Sequence, residues 1–208
     1  MSNTRITGWP RWSSINSTQP RRPSRWKDVL SMLNIIFESH NTTIDNENNR
    51  ASGHYDVELS EKGKQQSKAL GERYKDTQID AIFCSDMQRS YKTAEGAFSN
   101  RNIPTFQDER LRECNYGDLT RAPKDHVEGM RMQYITTPYP NGESLQQRVE
   151  KMKSFLDEIK EKYDGKTIII VGHRATRYAL EHYLNNKSLE QAVSAPNQWQ
   201  PGWQYTIN

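Results

Sequence analysis

Apolar residues along this chain come in short runs separated by amphipathic stretches. Leu33, Ile35, Ile36 and Phe37 form a run that stops at Ser39-His40 and gives way to polar, Asn-rich chain. A short apolar run bounded by turn formers fits a buried strand better than a helix. Similar runs cover residues 79–84, residues 103–106 and, most clearly, residues 167–171, the last ended by Gly172-His173. Between them lie segments of helical spacing. Ser60 is placed to cap a helix over 61–74 that buries Ala69, Leu70 and Tyr74, and a second helix is expected over 87–98. Leu145, Val149, Met152, Phe155, Leu156 and Ile159 mark one face of a helix over 144–163, and another helix covers 175–184. Residues 127–134 read as an ambiguous helical segment. Pro138-Tyr139-Pro140-Asn141-Gly142 is a loop by its turn chemistry, and Trp199, Trp203 and Tyr205 suggest a closing strand or a wrapped tail. Strands alternating with helices predict an α/β fold: a three-layer sandwich with a mostly parallel central sheet and helices on both faces.

Composition divides the chain unevenly. With 208 residues it is long enough for one medium domain, placed at residues 32–208. The apolar share of 33% is low, and part of that polarity lies at the beginning. From Met1 to Lys27 there is no acidic residue, whereas Arg5, Arg11, Arg21, Arg22, Arg25 and Lys27 stand among serines and prolines. Residues 1–31 thus carry a formal charge of +5 and the remainder −2, so the isoelectric point of 8.8 belongs mostly to this extension. A basic arm for nucleic acid and a transit peptide are two readings of it; the preferred one is an extension outside the fold, because Pro10, Pro20 and Pro23 block an amphipathic helix. A nucleic-acid partner is not expected of the nearly neutral body. No secretory apolar segment and no membrane span can be read, so a cytoplasmic protein without membrane partners is expected. Cys84 and Cys114, without a Cys-x-x-Cys spacing, fit reduced thiols.

Candidate chemistry follows from the strand ends. In a parallel sheet His40 and His173 would emerge at the same edge, where ligands of α/β proteins bind. The next strand delivers Ser85 and Asp86 there, followed by Arg89 and Thr93 on one helix face. Paired imidazoles with an arginine suit phosphoryl transfer: one neutral ring attacks phosphorus while cations hold the equatorial oxygens. A carboxyl must protonate the leaving oxygen, and Glu113 and Glu143 are the candidates. Neither histidine has a carboxylate at metal-ligand spacing, so neither a metal nor a cofactor is expected.

These residues also carry a resemblance. The segment SHNTTIDNENNRASGHYDVELSEKG resembles the opening of the histidine phosphatase superfamily, the phosphoglycerate mutase-like fold, with His40, Asn46, Asn49, Arg50, Ser52, Gly53, Asp56, Leu59, Ser60 and Gly63 in register. Ser85 to Ala94 resembles the family's Ser-x-x-x-Arg-Ala-x-x-Thr-Ala, Leu111 to Leu119 its Leu-x-Glu-x-x-Tyr-Gly block, and Gly142-Glu143-Ser144 its Gly-Glu-Ser. Val171-Gly172-His173 matches the late histidine, and the likeness spans residues 33–184. It implies a phosphatase of the phosphatase branch, since the span from Leu119 to Pro140 is short for a mutase. His40 would become a phosphohistidine, Arg89 and His173 would bind the phosphoryl group, and Glu113 would be acid and then base. Asn46 and Arg50 join the expected substrate-binding residues, and the partner is a small phosphorylated substrate.

Two departures bear on this. Where the family has Arg-His-Gly, this chain has Ser39-His40-Asn41, and the lost guanidinium removes hydrogen bonds worth about 1.5–3 kcal/mol each. Arg174, where the family has glycine, is expected to reach across and replace that cation, the alternatives being an exposed helix start or a pair with Glu38. The other functional readings are a catalytically impaired member that binds phosphate esters or phosphoproteins, and a phosphoglycerate mutase-type phosphotransferase. His54, His126 and His182 are expected to be surface or structural, with His54 lying over the site; Arg110 and Arg112 are expected to be solvated.

Overall fold

The computed structural model describes residues 32–196 and 200–208. The expectations for residues 1–31 and for Trp199 lie outside the described residues. A five-stranded sheet forms the centre, with strands β1 (Leu33–Ser39), β2 (Ala81–Cys84), β3 (Thr105–Gln107), β4 (Thr167–Gly172) and β5 (Trp203–Ile207). Their order is β3-β2-β4-β1-β5. All neighbours are parallel except β5, which runs antiparallel along β1.

The strands explain both layers of helix. Because successive strand residues point to opposite faces, Ile35, Phe37, Phe83, Ile168 and Ile170 meet one helical layer, while Ile36, Ile82, Ile169 and Val171 meet another. The first layer contains α5 (Leu145–Lys162), α6 (Arg174–Leu184) and α7 (Leu189–Ser194). The second contains α2 (Glu61–Arg73) and α3 (Gln88–Phe98). Each large side chain buried this way contributes about 1.5–3 kcal/mol, and Phe37, Phe83 and Ile168 to Val171 are fully buried. Helix α5 begins with a capping box in which Ser144 and Gln147 satisfy each other's backbone N–H groups. Helices α2 and α3 approach closely at Gly71, where a Cβ would stand 2.4 Å from the carbonyl oxygen of Ala97.

Several boundaries differ from expectation. Residues 127–134 are a helix, α4 (Lys124–Met130), followed by a 3-10 turn, Arg131–Tyr134. The second strand starts at Ala81 and the third at Thr105, whereas Trp203 and Tyr205 do enter a closing strand, β5, the first of the two readings offered for them. Two short helices, α1 (Ile44–Glu47) and α7, lack a long apolar stripe and are held by their caps: Thr43 with Asn46, and Ser188 with Gln191. Among the described residues no helix is long and apolar enough to cross a membrane.

For the site, one register matters most. Ser39 of β1 lies beside Gly172 of β4, and the N–H of His40 donates to the Gly172 carbonyl at 2.9 Å. One residue past that rung, His40 and His173 therefore stand side by side.

Candidate active site

The two imidazoles face each other with ring centroids 5.1 Å apart, at the floor of a pocket of about 280 Å³. Ser39, His40, Asn46, Arg50, Arg89, Glu113, His173 and Arg174 all line it, so these eight residues expected at the site arrive at one cavity, whereas the other candidate acid, Glu143, does not.

Hydrogen bonds set the role each ring can play. His40 Nδ1 donates to its neighbour's carbonyl, Asn41 O, at 2.8 Å. A carbonyl only accepts, so the proton sits on Nδ1 and Nε2 keeps its lone pair. Burial and the nearby Arg89 guanidinium push the His40 pKa down to about 3, against the opposing pull of the Asn41 carbonyl. The ring is therefore neutral at ordinary pH, as a nucleophile must be.

His173 is fixed from the other side. Its Nε2 lies 2.6 Å from Ser85 Oγ, at the end of the neighbouring strand β2. The buried Ser85 hydroxyl accepts from Met87 N and has no acceptor for its own hydrogen among the described residues other than this nitrogen. Ser85 thus donates, and the single proton of neutral His173 is placed on Nδ1. That buried Nδ1 has no partner among the described residues, leaving an N–H available to an anionic oxygen. Burial, Arg89 and His40 all hold His173 far below its ordinary pKa.

Arg89 reaches the pocket from the first turn of α3, almost fully buried, and donates to the carbonyls of Gly53 and Tyr55 at 2.7 and 3.0 Å. Those carbonyls belong to the loop that follows α1 and carries Arg50. Gly53 has φ +52, a backbone that favours glycine, and a Cβ there would press on the Tyr116 ring at 3.0 Å. Three residues on, Asp56 accepts from the N–H of Gln88 at 2.8 Å and so binds the loop to the start of α3. Thr93 Oγ1 accepts from Asn41 N at 3.0 Å, holding the chain just after His40. Asn46 spends its carbonyl on the Thr43 N–H, so the amide NH2 is what it can offer a ligand. Arg50 donates to the Arg121 carbonyl at 3.3 Å.

The structure separates the two candidate acids. Glu113 lines the pocket, its carboxylate held by the N–H groups of Cys114, Arg174 and Ala175 at 2.8, 3.2 and 3.3 Å. The start of α6 thus aims this side chain. Glu143 is not among the pocket residues; it accepts from Asn115 N and Lys151 Nζ and pairs with Arg148. Burial alone would raise its pKa, but Lys151, Arg148 and the Asn115 N–H outweigh it and hold Glu143 below the usual range. Its work is to fix the loop behind the site.

Arg174 pairs with Glu128 Oε1 at 2.8 Å and not with Glu38, which is buried against Arg73 and Tyr74. Arg110 and Arg112, expected in solvent, are instead part-buried on Asp108 and Asp86. His54 is not among the pocket residues; its Nε2 lies 2.8 Å from the Glu113 carbonyl oxygen. Sequence reasoning missed the role of Ser85 and the pocket residues Glu128, Arg131, Arg177 and Trp203. Arg177 could have been found from its place one turn beyond Arg174 on α6; the others are joined to the site only by tertiary packing. Among the described residues no three His, Cys, Asp or Glu side chains converge as a metal cage requires.

Comparison with known proteins agrees with this geometry. Residues 35–198 match the family model described as histidine phosphatase superfamily, branch 1. The chain is 28% identical over 149 residues to a protein of Bacillus subtilis named uncharacterized phosphatase PhoE, covering 72% of this chain and 76% of that one. It is 33% identical over 150 residues to a protein of Cronobacter sakazakii named probable phosphoglycerate mutase GpmB, covering 68% and 70%. The solved structure of Bacillus stearothermophilus YhfR superposes with a TM-score of 0.70 at 27% identity, covering 79% of this chain and 85% of that one.

Proposed function

Because this chain belongs to the histidine phosphatase superfamily, we propose that it hydrolyses a phosphomonoester through a phosphohistidine on His40. The observation that carries the reading is complementarity between the two rings: a free lone pair on His40 Nε2 beside an N–H donor on His173 Nδ1 with no other partner among the described residues. In the first step His40 Nε2 bonds to phosphorus as the ester P–O bond breaks, and Glu113, protonated, gives its proton to the leaving oxygen. In the second step Glu113, now ionised, takes a proton from water. That water's oxygen attacks phosphorus, the N–P bond breaks, and inorganic phosphate leaves. Arg89 and His173 hold the equatorial oxygens whose charge must be stabilised throughout. Asn46, Arg50 and Ser39 complete the phosphoryl side of the pocket. No metal or cofactor is needed.

Ser39 cannot supply the guanidinium that the family's arginine provides. We assign that charge to Arg174, which lines the same pocket and whose guanidinium can exchange Glu128 for a phosphoryl oxygen. The short Ser39 also favours a second reading, a member that binds phosphate esters with little turnover. The test is rapid quench of the full chain with a generic aryl phosphate in chelator. An acid-labile phosphoenzyme mapped to His40, absent in His40→Ala, is the expected result. Glu113→Gln should form it and release it at least about a hundredfold more slowly. Ester binding with neither phosphoenzyme nor phosphate release would remove the catalytic reading and leave the binding one.

A further inference from the structure

Charge in the pocket exceeds what one phosphoryl group can use. Among the described residues it is lined by six cationic side chains, Arg50, Arg89, Lys124, Arg131, Arg174 and Arg177, against the two carboxylates Glu113 and Glu128. With both histidines held neutral, the excess is four positive charges. A phosphomonoester dianion balances about half of this.

The surplus has a location. Arg89 comes from the β2 side of His40, whereas Trp203 belongs to β5, beyond β1 on the opposite side. Over the Trp203 ring, 5.1 Å from its centroid, lies the guanidinium of Arg177. Arg177 is only 8% exposed, lines the pocket, and has no ion pair and no side-chain hydrogen bond among the described residues. Keeping a buried guanidinium without a counter-charge is costly, and stacking on an aromatic ring leaves its N–H edge free for an anion. Arg131, also buried and lining the same pocket, is 3.6 Å from Glu128, the carboxylate that also pairs with Arg174. Glu128 thus faces more cations than it can neutralise.

We propose that Arg177 and Arg131, with Trp203 beneath, form a second oxyanion subsite, so that the substrate is a phosphomonoester whose leaving group carries another anionic group, a phosphate or a carboxylate. This rests on the phosphomonoester reading and narrows its substrate class. Glu128 holds the cations in place when the subsite is empty and sets its net charge.

Calorimetric titration of the full chain with non-hydrolysable probes separates this inference from the catalytic one. The probes are phenylphosphonate, 4-carboxyphenylphosphonate and benzene-1,4-diphosphonate. The added anion should tighten binding roughly tenfold or more, as expected for one charge-assisted contact. A gain limited to the diphosphonate identifies a second phosphate; an equal gain with the carboxylate identifies a singly charged group. Arg177→Gln should bring the ratio between doubly and singly anionic probes close to one, and Arg177→Lys should retain part of it. Glu128→Gln should raise it, a direction that loss of folding would not produce. Equal binding of all three probes, binding of none, or a ratio that survives in Arg177→Gln overturns the proposal. Tighter binding of the doubly anionic probes by a protein that turns over no phosphomonoester would keep the subsite and discard the catalytic reading.

Discussion

Replacing Ser85 with alanine removes one oxygen atom and tests the tautomer of His173. In the wild-type protein the Ser85 hydroxyl donates to His173 Nε2 at 2.6 Å, and both groups are buried. Alanine leaves that nitrogen without a donor in a ring whose Nδ1 has no partner among the described residues. Stranding a buried acceptor costs about 1–3 kcal/mol, and in a domain of this size each kcal/mol lowers the melting temperature by about 2–4 °C. The expected loss is therefore roughly 2–12 °C by calorimetry. Catalysis should suffer separately, because nothing then keeps the proton on Nδ1. Losing a charge-assisted hydrogen bond to the phosphoryl oxygens, about 1.5–3 kcal/mol, lowers kcat/KM by about ten- to a hundredfold. The most direct assay is two-bond nitrogen–proton NMR on labelled histidine. His173 should show the Nδ1–H tautomer in the wild type and lose that preference in Ser85→Ala. An unchanged His173 spectrum together with an unchanged melting temperature would refute the assignment of donor and acceptor.

Acid should unfold the protein partly through this histidine pair. The folded pKa of His40 is depressed to about 3 and that of His173 is also lowered, while unfolded histidine titrates near 6.5. The stabilisation is therefore complete above about pH 6.5 and is lost as pH falls from there toward 3; for His40 the loss by pH 4 is roughly 3 kcal/mol, and His173 adds to it in the same direction. Urea unfolding at pH 7 and pH 4 checks this: His40→Ala should lose less stability than the wild type between the two, and parallel losses would count against it. Gly71→Ala should destabilise the packing of α2 on α3 by about 1–3 kcal/mol, because the added methyl meets the Ala97 carbonyl at 2.4 Å; a denaturation midpoint equal to the wild type would show that the helices can part at little cost. Asp56→Ala should remove the cap on α3 that ties down the Gly53 loop, costing about 1 kcal/mol of stability. If the loop positions Arg89 as described, the KM for an aryl phosphate should also rise.

The layers of this fold were legible because each buried strand is a run of apolar residues with both faces covered, and residues 167–171 leave no alternative. The site was legible for a related reason. A parallel register needs only the two strand ends, Ser39-His40 and Gly172-His173, to place two rings side by side. What could not be read is whatever depends on contacts between segments distant in sequence. Helix α4 carries one fully buried residue, Val127, too little periodicity to fix its limits, yet it supplies Glu128, the partner of Arg174. Glu113 and Glu143 have the same chemistry in sequence; they are told apart only by where α6 begins, since its first N–H groups hold one carboxylate in the pocket while Arg148 and Lys151 hold the other behind it. Arg174 shows the limit most clearly. Its expected reach toward the phosphoryl group and its observed pair with Glu128 differ by the swing of one side chain, which the charge of an incoming ester can drive. Competition between Glu128 and the substrate for that guanidinium predicts that Glu128→Gln lowers the KM of even an aryl phosphate without a second anionic group, whereas Arg174→Gln raises it. Opposite shifts in the two variants would place Arg174 on the ester; shifts of the same sign would leave it a structural partner of α4.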